Sequence, residues 1–203
     1  MVIRAALAAI GAYLLGNLNG AICVSALLHD DVRKHGSGNA GLTNFIRSYG
    51  TGKAILVVLI DVLKAVVACM LGGLLLRADG LWLEGTMLGC IFVMLGHDFP
   101  VFLGFKGGKG ILSGAVCAYC MDWRIGLIVT AVFLAAYLAT GYVSLGSVLG
   151  ALGFAICFAV FHHDSVFVLG GGIFLGVLTI FMHRENLVRL VKGTERKTNL
   201  FKK

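Results

Sequence analysis

AILVVLIDVLKAVVACMLGGLLL, residues 54–76, is a run of 23 positions with only two charges, Asp61 and Lys64. A helix of that length rises about 35 Å, enough to cross the roughly 30 Å hydrocarbon core of a bilayer. The run lacks the period-2 alternation of a barrel strand, so a helix is the form that satisfies its own backbone in lipid. Asp61 and Lys64 stand three apart, where they pair along one helix face and neutralise each other, a structural bridge rather than a proton relay. The rest of the chain has the same character. Of 203 residues 59% are apolar, 13% are charged and one is proline, with a mean hydropathy of +0.94. A soluble domain carries about 45–50% apolar and about 25% charged residues, so a soluble enzyme is excluded.

Six more segments resemble 54–76, at 3–28, 80–96, 111–122, 125–141, 146–162 and 166–183. The first is too long for the core of a cleaved signal and reads as a retained span. The segment 111–122 is shorter than a full crossing, so short, tilted or partly re-entrant spans are expected. The expectation is a single domain, 1–203, an all-α integral membrane protein of about seven transmembrane helices.

The net charge of +7 is a topology signal rather than a nucleic-acid footprint, because the charges fall between apolar runs and form no basic stripe interleaved with aromatics. With the N-terminus outside, the inside segments 29–53, 97–110 and 184–203 carry thirteen Lys and Arg, Lys202 and Lys203 among them, and the outside segments carry only Arg4, Arg77 and Arg124. Positive-inside bias therefore predicts an outside N-terminus, a cytoplasmic C-terminus and an odd number of crossings.

The inside segments hold the chemistry. From His35 to Lys53 the chain reads HGSGNAGLTNFIRSYGTGK, in which Gly36, Gly38 and Gly41 allow close backbone approach. Ser37, Asn39, Thr43 and Asn44 add neutral hydrogen-bonding groups, and Arg47 a fixed positive fork, the parts of an anion cradle. From Gly96 to Gly110 it reads GHDFPVFLGFKGGKG; Lys106 and Lys109 flank Gly107 and Gly108, a glycine turn whose N–H groups are expected to face an anion. It is not a Walker A loop, since Gly110 rather than Ser or Thr follows Lys109. At the last inside end, His183, Asn186 and Arg189 fall three apart and share one helix face, next to GYVSLGSV at 141–148; Arg184, Glu185 and the rest of the tail read as a solvated basic face. The 29 glycines are thus assigned in good part to loops where backbone approaches phosphate.

Other features carry less. The cysteines at 23, 69, 90, 117, 120 and 157 all lie in apolar stretches, where a thiol behaves as a small hydrophobe. Cys117 and Cys120 form a CxxC with no second pair, so no zinc or redox role is expected; His162, His163 and Asp164 are adjacent in one turn and cannot all converge on a metal. Taken alone, these residues describe a phosphate-handling membrane protein, an enzyme ahead of a small phosphate or phospho-ester transporter. The transporter would need a polar path through the bilayer, and the spans carry few charges beyond Asp61 and Lys64.

The strings GSGNAGLTNFIR (36–47), GHDFPVFLGFKGGKG (96–110), YVSLGS (142–147) and HRENLVRL (183–190) resemble, in order and spacing, the signature segments of the PlsY family of bacterial acyl-phosphate:glycerol-3-phosphate acyltransferases. Asp98, where an uncharged residue is common, and Gly146, where alanine is familiar, depart from the pattern. The resemblance implies a multi-pass enzyme of the bacterial inner membrane, with its site toward the cytoplasm and no metal or cofactor. It implies acyl phosphate and glycerol 3-phosphate as partners beside membrane lipid, no nucleic acid, and a monomer. It also implies functional roles for Ser37, Arg47 and Lys109, and for Ser147, His183 and Asn186 as their counterparts in the last two segments. No carboxylate base is evident among the inside clusters, so His183 and Asn186 are expected to orient hydroxyls while the phosphate of the donor takes the proton.

Overall fold

The apolar run over 3–28 does not form one helix. In the computed structural model, which describes residues 1–198, it forms α1 (Val2–Gly16) and α2 (Gly20–Leu27), meeting at 44°. Asn19 makes the break: its side-chain oxygen accepts from the Ile22 N–H at 3.1 Å, capping α2 and so ending α1. A break inside lipid strands backbone groups that have no water to turn to. The expected Asp61–Lys64 pair forms, its atoms 2.7 Å apart, and it satisfies them. Lys64 donates to the Leu18 carbonyl at 2.9 Å, and Asp61 accepts from the Gly20 N–H at 3.1 Å.

The amphipathic α3 (Leu42–Tyr49) follows, then α4 (Thr51–Arg77) and α5 (Trp82–Asp98). The remaining helices are α6 (Ile111–Met121), α7 (Trp123–Thr140), α8 (Val143–Phe161), α9 (Val166–Met182) and α10 (Arg184–Val191). No strand occurs among the described residues. Among the described residues, four helical stretches, α4, α5 with its continuation to Leu103, α7 and α8, are long and apolar enough to cross a membrane; the bent pairs α1–α2 and α9–α10 raise that to six. The segment expected over 111–122 is the short one, α6, with 11 residues. Exposed side chains such as Leu56, Leu59, Leu63, Val67 and Leu74 cover the outer face of α4, as a lipid-facing surface requires. Lys202 and Lys203, counted toward the cytoplasmic tail, lie outside the described residues.

Lipid tails are as apolar as leucine, so membrane helices gain by close packing rather than by leaving water, and small residues permit it. α4 and α5 cross through Gly72, Gly85 and Gly89: a Cβ on Gly72 would overlap the Gly85 carbonyl, one on Gly85 the Gly72 carbonyl, and one on Gly89 the Ala68 carbonyl. α1 meets α5 through Gly16 and Gly96 in the same way. Many of the glycines therefore serve helix crossings, not the phosphate-approaching loops to which the sequence reading assigned them. The main core, including Ala65, Ala68, Met87, Val93, Met94 and Ile125, fills the space between these helices, and a second cluster packs Phe45 of α3 against Ala21, Val24 and Val57.

Gly72→Ala and Gly85→Ala are each expected to destabilise the protein by about 1–3 kcal/mol through overpacking, read as a lowered thermal unfolding midpoint in detergent. Gly170→Ala, with open space around its Cβ position, is expected to leave the midpoint unchanged or slightly raised.

Candidate active site

The loop before α3 is organised around Asn44, which is 2% exposed. Its side-chain nitrogen lies 3.0–3.1 Å from the carbonyls of Val32, His35 and Asn39, and its oxygen accepts from the Ser37 N–H at 2.9 Å. Asn19 ties this loop to the helix break by donating to the Ala40 carbonyl at 3.0 Å. Gly38 turns at φ +72°, in the left-handed region. Ser37, Gly38 and Asn39 are thereby held in a folded loop, with Arg47 one turn and a half into α3 beside them.

The loop from Gly96 to Gly110 presents Lys109 differently from what its sequence suggested. The N–H of Gly107 donates to the Asp98 carbonyl at 3.2 Å and that of Gly108 to the His97 carbonyl at 3.1 Å. These groups are spent on folding the loop back onto α5 rather than facing outward as expected, and neither glycine lines the cavity described next. Both must nonetheless be small: a Cβ on Gly107 would overlap the His97 carbonyl, and one on Gly108 the His97 ring.

Ser37, Gly38, Asn39, Arg47, Lys109, Ser147, His183 and Asn186 all line one cavity of about 820 Å³. The three inside segments, far apart in sequence, thus meet. Lys109 donates to the Asn186 side-chain oxygen, while burial first and the Arg189 charge second push its ammonium below the ordinary lysine range. Ser147 on α8 donates to the Val143 carbonyl at 2.8 Å, which leaves its oxygen free to accept. His183 sits at the bend between α9 and α10 rather than within a helix, 4% exposed, with Nδ1 2.8 Å from the Thr179 carbonyl. A carbonyl can only accept, so the ring proton is on Nδ1 and Nε2 is left as an acceptor.

Sequence reasoning missed part of the tail. Arg184, Lys192, Arg196 and Lys197 are exposed, as a solvated basic face requires, but Glu195 and Thr198 of the segment after α10 fold back onto the site. The Glu195 side chain is 8% exposed, and it accepts from Ser144 at 2.8 Å, from Asn186 at 2.7 Å and from Arg189 at 2.7 Å. Burial pushes the Glu195 carboxyl up, but those hydrogen bonds outweigh it and hold it below the ordinary glutamate range. Arg47 donates to Thr198 and to the Arg196 carbonyl, and Tyr137 donates to the Thr198 carbonyl at 2.9 Å. Ser144, one helical turn before Ser147 on α8, could have been found from that spacing; Glu195 carried no local signal.

The cavity's lining has two characters: Arg47, Lys109, Arg189 and Arg196 come from the inside segments, and Val129, Phe133, Phe154 and Leu175 from within α7, α8 and α9. Cations gathered beside hydroxyl and amide groups fit phosphate oxygens, and the apolar part fits a hydrocarbon chain. The one group of three metal-capable side chains found among the described residues, Cys69, Cys90 and Cys117, does not line this cavity.

The family model described as glycerol-3-phosphate acyltransferase matches residues 6–193. A glycerol-3-phosphate acyltransferase of Thermoanaerobacter sp. (strain X514) is 40% identical over 195 residues, covering 95% of each chain. Among solved structures, the glycerol 3-phosphate form of PlsY (YgiH), an integral membrane glycerol 3-phosphate acyltransferase, matches with a TM-score of 0.87 at 31% identity, covering 98% of this chain and 99% of that one. Its lysophosphatidic acid form matches with a TM-score of 0.82, also at 31% identity, covering 97% and 96%.

Asn44→Ala removes a hub of buried hydrogen bonds, each worth about 1 kcal/mol net. It is expected to cost about 2–4 kcal/mol, read as a lowered unfolding midpoint in detergent. Asn44→Asp keeps the shape but loses the donors, and a midpoint equal to wild type for that variant would show that the donors do not hold the loop.

Proposed function

The chain belongs to the glycerol-3-phosphate acyltransferase family, and from that premise we propose that it transfers a fatty acyl group from acyl phosphate to the sn-1 hydroxyl of glycerol 3-phosphate. The products are 1-acyl-glycerol 3-phosphate and inorganic phosphate. The observation that carries this reading is the convergence of Arg47, Lys109, Ser147, His183 and Asn186 on one cavity whose lining is partly cationic and partly apolar.

Acyl phosphate is a mixed anhydride with a good leaving group, so no covalent Ser or Cys intermediate is needed. The glycerol oxygen attacks the acyl carbon, the bond from that carbon to the phosphate oxygen breaks, and the hydroxyl proton leaves on the departing phosphate. What the protein supplies is position and charge. Two phosphate groups must approach each other, and Arg47, Lys109 and Arg189 offset their repulsion. His183 Nε2, held as an acceptor, and Asn186 orient the glycerol hydroxyls, while Ser37 and Asn39 hold phosphate oxygens. Glu195 is a poor proton acceptor, because three donors hold it as the carboxylate. Phe133 and Phe154 flank the acyl chain in the apolar part.

The protein sits in the bacterial cell membrane, N-terminus outside and cavity toward the cytoplasm, as the excess of Lys and Arg in the segments that form the cavity indicates. It acts as a monomer, since one chain supplies every group named. No metal or cofactor takes part in this reading.

Purified protein in detergent, given palmitoyl phosphate and glycerol 3-phosphate, is expected to release phosphate and form the lysophospholipid. Palmitoyl-CoA or acyl carrier protein in its place is expected to give neither, and turnover with those donors alone would overturn the proposed donor. His183→Gln is expected to raise KM for glycerol 3-phosphate and lower kcat modestly. A fall in kcat of about 10²–10⁴-fold with binding intact would make His183 the base.

A further inference from the structure

Four of the six cysteines meet in the core, although they come from three helices and look unrelated in sequence. Cys69 on α4, Cys90 on α5 and Cys117 on α6 place their sulfurs within 4.8 Å of one another. Cys69 and Cys90 are 3.3 Å apart, and Cys69 and Cys117 3.9 Å. None of the three is more than 1% exposed. Cys120, one turn beyond Cys117, packs against the same core. It is only half-buried, and it lines a surface groove formed by residues 119–124. The CxxC that lacked a second pair in the sequence is thus completed in space, with one of its thiols facing outward and the other inward.

We propose that Cys69, Cys90 and Cys117 form a binding site for a soft monovalent d10 cation of the Cu(I) class, reached through Cys120. Metal–sulfur bonds of about 2.3 Å set three ligand sulfurs about 4 Å apart, which the observed separations already approach. The donor set is sulfur only, and thiol sulfur selects soft ions over magnesium or calcium. Coordination number decides the ion. Three sulfurs suit the low coordination number of a soft monovalent d10 ion and fall one short of the four ligands that zinc takes. Cysteine ligates as its thiolate, so each metal–sulfur bond forms as one Cys S–H bond breaks, and each proton leaves to water through the groove. α6 begins at Ile111, capped by Gly110, so a cation held here staples the helix that directly follows Lys109 to α4 and α5.

The test is competition for Cu(I) between the reduced full-length protein in detergent and the coloured Cu(I)–bicinchoninate complex, without oxygen. Wild type is expected to withdraw one Cu(I) per chain. Cys69→Ser and Cys117→Ala are each expected to weaken retention by at least the roughly 10- to 100-fold that even outer-shell partners command, with Cys23→Ser unchanged. X-ray absorption of the copper-loaded wild type, which needs no variant, is expected to show sulfur ligands only. Failure of wild type to withdraw copper, retention equal to wild type in both ligand variants, nitrogen or oxygen ligation, displacement by equimolar Zn(II), or loss of two thiols to a disulfide without copper uptake would each overturn the proposal.

Discussion

The Lys64 ammonium lies among apolar helices, 4% exposed, and the structure depends on how it is satisfied. A buried ion pair does not repay its desolvation by Coulomb attraction alone; it survives when its remaining donors and acceptors are also used. Lys64 uses three, reaching Asp61 at 2.7 Å, the Leu18 carbonyl at 2.9 Å and His97 Nδ1 at 2.6 Å. The last contact makes His97 an acceptor at Nδ1 and puts its ring proton on Nε2. One pair on α4 therefore fixes the break between α1 and α2 on one side and the end of α5 on the other. Both connect to the site: Asn19 at the break holds the loop at Ala40, and the His97 carbonyl holds Gly108, next to Lys109.

Glycine does the same work at helix crossings that the ion pair does at the break. A membrane helix whose neighbour approaches closely enough for backbone contact needs no Cβ in the way, and Gly72 against Gly85 meets that need between α4 and α5. The consequence reaches the site because α5 carries His97 and Asp98, the residues whose carbonyls fold back the loop of Gly107 and Gly108. Lys109 is aimed by this packing, from the loop that precedes α6.

What could be read from the chain follows from the range of each interaction. Apolar runs and the spacing of Asp61 and Lys64 are local, so the helices and their internal pair were legible, and so were the clusters around Arg47, Lys109 and His183. The break at Asn17–Leu18–Asn19 was written in two asparagines, yet hydropathy over a long window averages them away. Gly107 and Gly108 were misread because a glycine turn near lysines looks the same whether its N–H groups face a ligand or neighbouring backbone. Glu195 and the thiol cluster were invisible for another reason. Glu195 meets Ser144 across 51 residues and Cys69 meets Cys117 across 48, and no periodicity records such meetings.

Glu195 also shows how a cluster of cations is accommodated in the fold. Arg47, Lys109, Arg189 and Arg196 stand close together in a partly buried cavity, where like charges repel more strongly than in water. A carboxylate bonded to Arg189, Asn186 and Ser144 relieves part of that repulsion, and the Arg47 bond to Thr198 holds the same tail in place. The cations can therefore stand close together in the folded chain, neutralised in part by a residue of the chain itself.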